Sequence, residues 1–462
     1  MIPRTRKARL LVGGLGLLIL ACAGVLAYAL LNDRPGDVSN PDVEFQAPTT
    51  TTPTPAPKPE DRSFEWPEYG YTQARTRFFP LAEPARPPFP LRWSVRGNDL
   101  LEFGPVAGGS SLYLLKNNGA LYAIKRRSGV VYWKKKLGHL AASSPAYANG
   151  VLFCTILEGA KGSKQGRVVA FNVEYPRVRW SRTLSSRTET SPIVVDGTVY
   201  VGSENGTVYA FRADDGKLLW TTKASGAVKG GLAYDAGKLF FGDYGGHVHA
   251  VSAASGRKIW DVTGGGGAFG LGGGQFYATP SVAFGRVYLG NTNGSMYSFS
   301  AKNGALAWRK GTGNYVYSSA AVTSVPGVGP TVYVGSYDGT LYALNARTGD
   351  TRWTHRAQGK ISGGIQMIGD LVFYSTLNGY TTALGAATGR PVWSVRKGKF
   401  NPVISDGRYL FVNGQTSLWA YDLRPGTGPV KLEPGDTPKL EPPKRDQERL
   451  AREKARASGS GG

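Results

Sequence analysis

The stretch TSPIVVDGTVYVGSENGTVYAFRADDGKLLW, residues 190–220, decides the fold. It reads as four short runs of alternating apolar and polar residues, broken at Asp196-Gly197, Asn205-Gly206 and Asp215-Gly216. Alternation puts every second side chain on one face, and Asn, Asp and Gly accept the positive φ of tight hairpins, so the stretch predicts a four-stranded antiparallel sheet. Its last segment, AFRADDGKLLW, returns as AIKRRSGVVYW, AVSAASGRKIW, SFSAKNGALAW, ALNARTGDTRW and ALGAATGRPVW, and in divergent form as AFNVEYPRVRW. The tryptophans closing these segments are Trp133, Trp180, Trp220, Trp260, Trp308, Trp353 and Trp393; with Trp93 they recur at spacings of 40, 47, 40, 40, 48, 45 and 40 residues. A period of about 40–50 residues is that of a propeller blade. A sheet of that size cannot cover its own faces, and a Trp burying roughly 150–250 Å² is a natural anchor between neighbours.

The last unit, KFNPVISDGRYLFVNGQTSLWAYDL at 399–423, supplies three strands and no Gly-to-Trp fourth. FPLRWSV at 89–95 carries Trp93 with no blade before it, so this N-terminal strand is expected to complete the eighth blade and close the ring, removing open sheet edges. The expected fold is all-β: an eight-bladed β-propeller over residues 66–424, preceded by one transmembrane helix. Residues 425–462 form a charged, proline-rich tail expected to be solvated, with a short helical pattern at 445–457.

Arg4, Arg6, Lys7 and Arg9, in a basic stretch 1–9, precede an uncharged apolar run at 10–31, long enough at about 1.5 Å per residue to span a bilayer. Asp33 and Asp37 follow it, so the positive-inside rule predicts a single-pass protein of the cytoplasmic membrane, N-terminus inside and propeller outside. Two processed forms with the same topology stay open: a lipoprotein anchored at Cys22, after Ile19, Leu20 and Ala21, or a secreted protein. Residues 32–65, including TTTTPTPAPKP at 49–59, have the composition of a linker, with a reach of up to about 100 Å if fully extended.

The first 31 residues carry +4, residues 32–66 carry −4 and residues 431–462 carry +2, so +21 of the total +23 falls on residues 67–430. Such a body attracts anions, which makes an anionic cell-surface polymer or lipid, or an acidic envelope protein, the partner to expect; the plainer reading is that the charge keeps an exported domain soluble. Nucleic acid is not expected, and oligomeric state is open. The only cysteines are Cys22 and Cys154, so the body holds no disulfide, and Cys154, aligned with Val201, reads as an inert buried thiol.

The unit A-x-x-x-x-(T/S/N/D)-G-x-x-x-W resembles the repeat of the pyrroloquinoline-quinone-repeat family, which includes quinoprotein dehydrogenases and a propeller lipoprotein of the bacterial outer-membrane β-barrel assembly machinery. WPEYGYTQARTRF at 66–78 is similar to the segment leading into such propellers. The resemblance implies the fold strongly and the function weakly. For the dehydrogenases it implies an adjacent Cys-Cys disulfide, a calcium site and a catalytic Asp. This chain has no Cys pair, and no residue of it can be carried over as that Asp or as a calcium ligand. The expectation is therefore no catalytic residue, no metal ligand and no cofactor, pyrroloquinoline quinone with calcium entering only if the dehydrogenase alternative holds.

His247 and His249 share one strand face, a spacing compatible with metal, but His249 stands where other repeats have Tyr209, Tyr297 and Tyr342, which favours a structural role. Asp214-Asp215-Gly216 reads as a turn, and the glycine-rich 263–277 as an inserted loop without the Lys-Ser or Lys-Thr of a phosphate cradle. Loops before each innermost strand and between second and third strands share one face of a propeller. Here they hold Lys229, Asp243, Tyr244, Tyr277, Asn291, Tyr315, Tyr317, Tyr337, Asp338 and Asn378 as the candidate recognition face, of a kind that suits proteins, glycans or polyanions. The functional expectation is an anchored extracytoplasmic scaffold binding a protein or envelope polymer, in envelope assembly.

Overall fold

The structure, a computed structural model, describes residues 20–26, 34–48, 63–265 and 273–423. Among them the strands form eight sheets of the expected propeller: blades 1 to 8 at residues 106–136, 146–183, 193–223, 233–263, 281–311, 321–356, 366–395 and 403–422. Leu91–Val95 pairs with Leu418–Asp422, Trp93 opposite Ala420, and supplies the fourth strand of blade 8.

The repeat motif makes sense only between blades. Trp180 donates its indole N–H to Ala213 O at 2.7 Å, Trp220 to Ala253 O at 2.9 Å, Trp308 to Ala346 O at 2.9 Å and Trp353 to Ala386 O at 3.0 Å, each acceptor lying in the last turn of the following blade. Each ring covers that turn's glycine, Gly216, Gly256, Gly349 and Gly389, all at positive φ. A Cβ on Gly256 would lie 2.5 Å from the Trp220 ring. Glycine thus serves two constraints at once, a left-handed backbone and close approach of an indole. Trp93 of blade 8 makes the same contact with blade 1, donating to Arg126 O at 3.0 Å over Gly129.

Residues 63–90 do not hang outside the propeller. Glu65–Trp66 pairs with the inner strand of blade 1 and Phe78–Phe79 with that of blade 7. Between them the chain passes the inner strands of blades 2, 4, 5, 6 and 7 in turn. Tyr147 N donates to Pro67 O, Tyr234 N to Gln73 O, Val282 N to Ala74 O, Val322 N to Thr76 O and Met367 N to Arg77 O. Inner-strand N–H groups facing a channel need acceptors, and this segment supplies them. Arg75, fully buried, reaches Leu232 O at 2.9 Å and Pro192 O at 3.1 Å and pairs with Glu68 at 3.3 Å. Trp66, Phe79 and Phe64 pack with blades 1, 7 and 8 in one apolar cluster.

Residues 34–48, within the stretch whose composition reads as linker, lie along the outer edge of blade 5. Val38–Ser39 pairs with Leu306–Gly311, Asn40 N donates to Ala307 O at 2.7 Å, and Phe45 meets Phe284 with ring centres 5.5 Å apart. Arg286, fully buried, donates to Glu44 O at 2.9 Å and also to Val43 O. Under this strap Trp308 is completely buried, whereas Trp133, Trp220, Trp353 and Trp393 stay partly exposed. The reach expected of a fully extended linker is accordingly reduced.

Of the expected span 10–31 only residues 20–26 are described, as helix; the basic end 1–9, the Pro/Thr run at 49–59, residues 266–272 of the glycine-rich insert and the tail from 424 on lie outside the described residues. No helix among the described residues is long and apolar enough to cross a membrane. Lysines and arginines stud the outermost strands of blades 1 to 6, as Lys134, Lys135 and Lys136, Arg177, Arg179 and Arg182, Lys223, Lys258, Arg309 and Lys310, and Arg352 and Arg356. Charge on edge strands discourages edge-to-edge pairing.

Candidate binding site at the channel mouth

The residue four places before the innermost strand follows one rule around the molecule. Glu102, Glu189, Lys229, Tyr277, Tyr317 and Ser362 hold that place in blades 1, 3, 4, 5, 6 and 7, and all line one recess. The recess, open to solvent, spans about 530 Å³, with Tyr69 of the channel segment, Gly230, Gly231, Gly363, Gly364 and Asn401 also lining it. Because residues 63–90 occupy the channel, it is a hollow at one mouth with that segment in its wall. No histidine or cysteine lines it.

Its two sides differ in chemistry. On one, Lys229 contacts Glu189 at 2.9 Å and Glu204 at 3.1 Å, while Arg187 binds Glu204 at 2.9 Å and Glu158 at 3.3 Å. Burial pushes the Glu189 carboxyl up, and the neighbouring Glu204 adds to this against the pull of Lys229. For Glu204 burial acts upward too, but hydrogen bonds with Arg187, Glu189 and Lys229 outweigh it and hold the carboxyl down to about 2. Glu102 is raised by burial and then by the Glu189 charge. On the other side an arc of tyrosines runs edge to face: Tyr244 to Tyr277 at 6.0 Å, Tyr277 to Tyr317 at 5.6 Å and Tyr317 to Tyr337 at 5.0 Å, with Tyr315 5.9 Å from Tyr317. Lys229 lies 5.4 Å from the Tyr244 ring centre and Lys360 5.4 Å from that of Tyr337. Burial raises the Tyr277 hydroxyl far above its ordinary value, so it stays a neutral hydrogen-bond donor at every physiological pH.

The ten residues of the candidate face divide. Lys229, Tyr244, Tyr277, Tyr315, Tyr317 and Tyr337 form the wall and arc just described. Asp243, Asn291 and Asp338 are engaged in their own turns and Asn378 with the neighbouring connection. Asp243, fully buried, accepts from His249 Nε2 and His247 N, both at 2.9 Å. Asn291 Oδ1 accepts from Asn293 N at 2.7 Å, Asp338 from Thr340 N at 2.7 Å and Tyr342 Oη at 2.6 Å, and Asn378 Nδ2 donates to Gln358 O at 2.7 Å. Sequence reading passed over Glu102, Glu189, Glu204, Arg187, Ser362 and Tyr69. The first two and Ser362 carry a usable signal, the shared place in the repeat; Arg187, Glu204 and Tyr69 are joined to the site only through tertiary structure.

His249 takes the place its alignment with tyrosines implies: Tyr342 hydrogen-bonds Asp338, and His249 likewise bonds Asp243 while stacking on Phe241 at 4.9 Å. His247 Nδ1 meets Asp261 at 2.6 Å. Among the described residues no group of His, Cys, Asp and Glu has the arrangement of a metal site. Asp215 accepts from Lys217 N at 2.9 Å in its turn, and Cys154 is a buried free thiol that burial pushes up to about 12.

Solved structures of the same fold include that of BamB from Moraxella catarrhalis, 17% identical, TM-score 0.59, matched over 72% of this chain and 99% of that one. A quinohemoprotein alcohol dehydrogenase from Pseudomonas putida HK5 is 15% identical, with TM-score 0.66 over 82% of each chain. The computationally designed Ika8 protein is 13% identical, with TM-score 0.60 over 72% of this chain and all (100%) of that one. At such identities the likeness concerns the fold, which these proteins share whatever each does. No curated protein matches the chain. The family profile described as outer membrane protein assembly factor BamB matches residues 90–204, 158–228 and 204–428, running through all eight blades. With the Trp-to-Gly repeat seen between those blades, the chain belongs to the outer membrane protein assembly factor BamB family of propellers with pyrroloquinoline-quinone-type repeats.

Proposed function

We propose that this protein is a membrane-anchored, extracytoplasmic scaffold that binds an envelope protein or an envelope polymer at the mouth recess, in envelope assembly. One observation carries the reading: the mouth presents tyrosine faces and satisfied ion pairs rather than reactive groups. Tyr277, Tyr317 and Tyr337 offer large, stiff, amphipathic surface of the kind enriched where proteins recognise one another. Lys229, Glu189, Glu204 and Arg187 are tied together, so they can set the orientation of a partner at little further cost in side-chain entropy. The family supports a scaffold, since the profile's own description is an assembly factor. The anchor rests on the apolar run 10–31 and the basic residues before it.

The relatives that are dehydrogenases raise the question of a quinone with calcium. The residues present do not fit that pair: no adjacent cysteines exist, and of the two carboxylates lining the recess, Glu102 and Glu189, the latter is already paired with Lys229. Cross-linking of the full chain in cells, followed by mass spectrometry, tests the scaffold reading. An envelope protein or polymer should be joined to the wild type and lost when Tyr317 and Tyr337 are changed to Ala. Recovery of the protein alone in both cases would overturn the reading.

A further inference from the structure

The strap 34–48 has a direction. At its first residue, Arg34 Nη1 donates to Gly313 O at 3.1 Å, and Gly313 lies in the connection between blades 5 and 6, two residues before Tyr315. The strap then descends the outer edge of blade 5. Asp37 accepts from Gly311 N at 2.7 Å, Val38–Ser39 pairs with Trp308 and Arg309, and Gln46 N donates to Phe284 O at 3.0 Å in the turn at the opposite end. The end nearer the apolar run is therefore held at the mouth face, beside the tyrosine arc.

Only Asn32 and Asp33 separate Leu31, the last residue of that run, from Arg34. Three residue steps reach at most about 10 Å. If Leu31 stands at the outer boundary of the bilayer, as the anchored reading requires, Arg34 lies within about 10 Å of it and Gly313 no more than an arginine side chain and one hydrogen bond further. The surface there suits that neighbour: Tyr315 is 46% exposed, Tyr337 carries Lys360 against its ring, and Arg34 opens the strap, while Lys310 is paired with Asp37. Tyrosine favours the membrane–water interface, and lysine and arginine favour anionic headgroups.

We infer that the strap holds the propeller with its mouth face toward the membrane, so that Tyr315 and Lys360 rest on the lipid headgroups of the outer surface, leaving Tyr317 and Tyr337 to the partner. This inference rests on the anchored reading above. A partner then reaches the recess from the membrane plane, whereas the turns around Lys302 at the other end of blade 5 point into the envelope.

The test uses the full chain with Cys22→Ser, reconstituted in vesicles containing anionic lipid and a headgroup-labelled quencher, with a fluorophore at Tyr315→Cys or at Lys302→Cys. Quenching is expected at Tyr315→Cys and not at Lys302→Cys, and a flexible Gly/Ser insert of about twelve residues between Asp33 and Arg34 should abolish it. A chain that stays in the vesicles with equal quenching at both positions, or with quenching unaffected by the insert, overturns the orientation alone. A chain that washes off the vesicles with alkaline carbonate overturns the anchored reading, and the orientation with it.

Discussion

Gly256→Ala separates the two demands placed on the repeat glycine. At φ +68 an alanine pays for the left-handed backbone, about 1–2 kcal/mol, and its Cβ meets Trp220 at 2.5 Å and 2.9 Å, an overpacking that typically costs about 1–3 kcal/mol more. Gly237→Ala is the control: its φ is +78, but a Cβ there has nothing within 4 Å, so it should cost the backbone term alone. Urea unfolding followed by tryptophan fluorescence should therefore place Gly256→Ala below Gly237→Ala by about 1–3 kcal/mol. In a Trp220→Ala background the excess should vanish, because the clash is pairwise. Equal costs for the two glycines in the wild-type background, or an excess that persists without Trp220, would refute the account of the motif as a contact between blades.

Three further outcomes are expected. Burial raises Glu68 to about 7 against the opposing pull of Arg75, so its protonated form is favoured in the folded state; the stability it provides is full below pH about 4.5 and is lost as pH rises through 7, a change of up to about 3 kcal/mol. Glu68→Gln should flatten that slope when urea midpoints at pH 5 and pH 7.5 are compared. Arg286→Ala removes the donor to Val43 O and Glu44 O, and also its bond to Arg347 O of blade 6, so limited proteolysis should cut within 34–48 before it cuts the blades. Pyrroloquinoline quinone with calcium at micromolar concentration should give neither fluorescence quenching nor dye reduction with alcohols or sugars; a positive result would revive the dehydrogenase alternative.

The blades were legible in sequence because each repeats one local code: alternation, an Asn-Gly or Asp-Gly turn, and a Trp at a set distance from a Gly. Leu91–Val95 could be assigned to the last blade because Trp93 lacked a unit of its own. Part of the mouth was equally within reach, since Glu102, Glu189, Lys229, Tyr277, Tyr317 and Ser362 share one place before the inner strand. Polarity alone misled at Asp243 and Asn291, which turn chemistry consumes. The strap was not legible: DVSNPDVEF has no strand pattern, and only Val38 and Ser39 pair, the rest being held by Arg286 and Lys310 from far along the chain. Nor was the channel segment, where Arg75 and Arg77 are buried against the composition rule because backbone carbonyls and the Tyr69 ring receive them.

The central claim, that the mouth is where a partner binds, is tested most directly by in-cell photo-cross-linking with a photoreactive residue placed singly at Glu102, Tyr277, Tyr317 or Ser362, and at Asp214 or Lys302 on the opposite face. The account predicts a common cross-linked species at the mouth positions and none at the other two. Cross-links of equal yield from both faces, or only from Asp214 and Lys302, would contradict it.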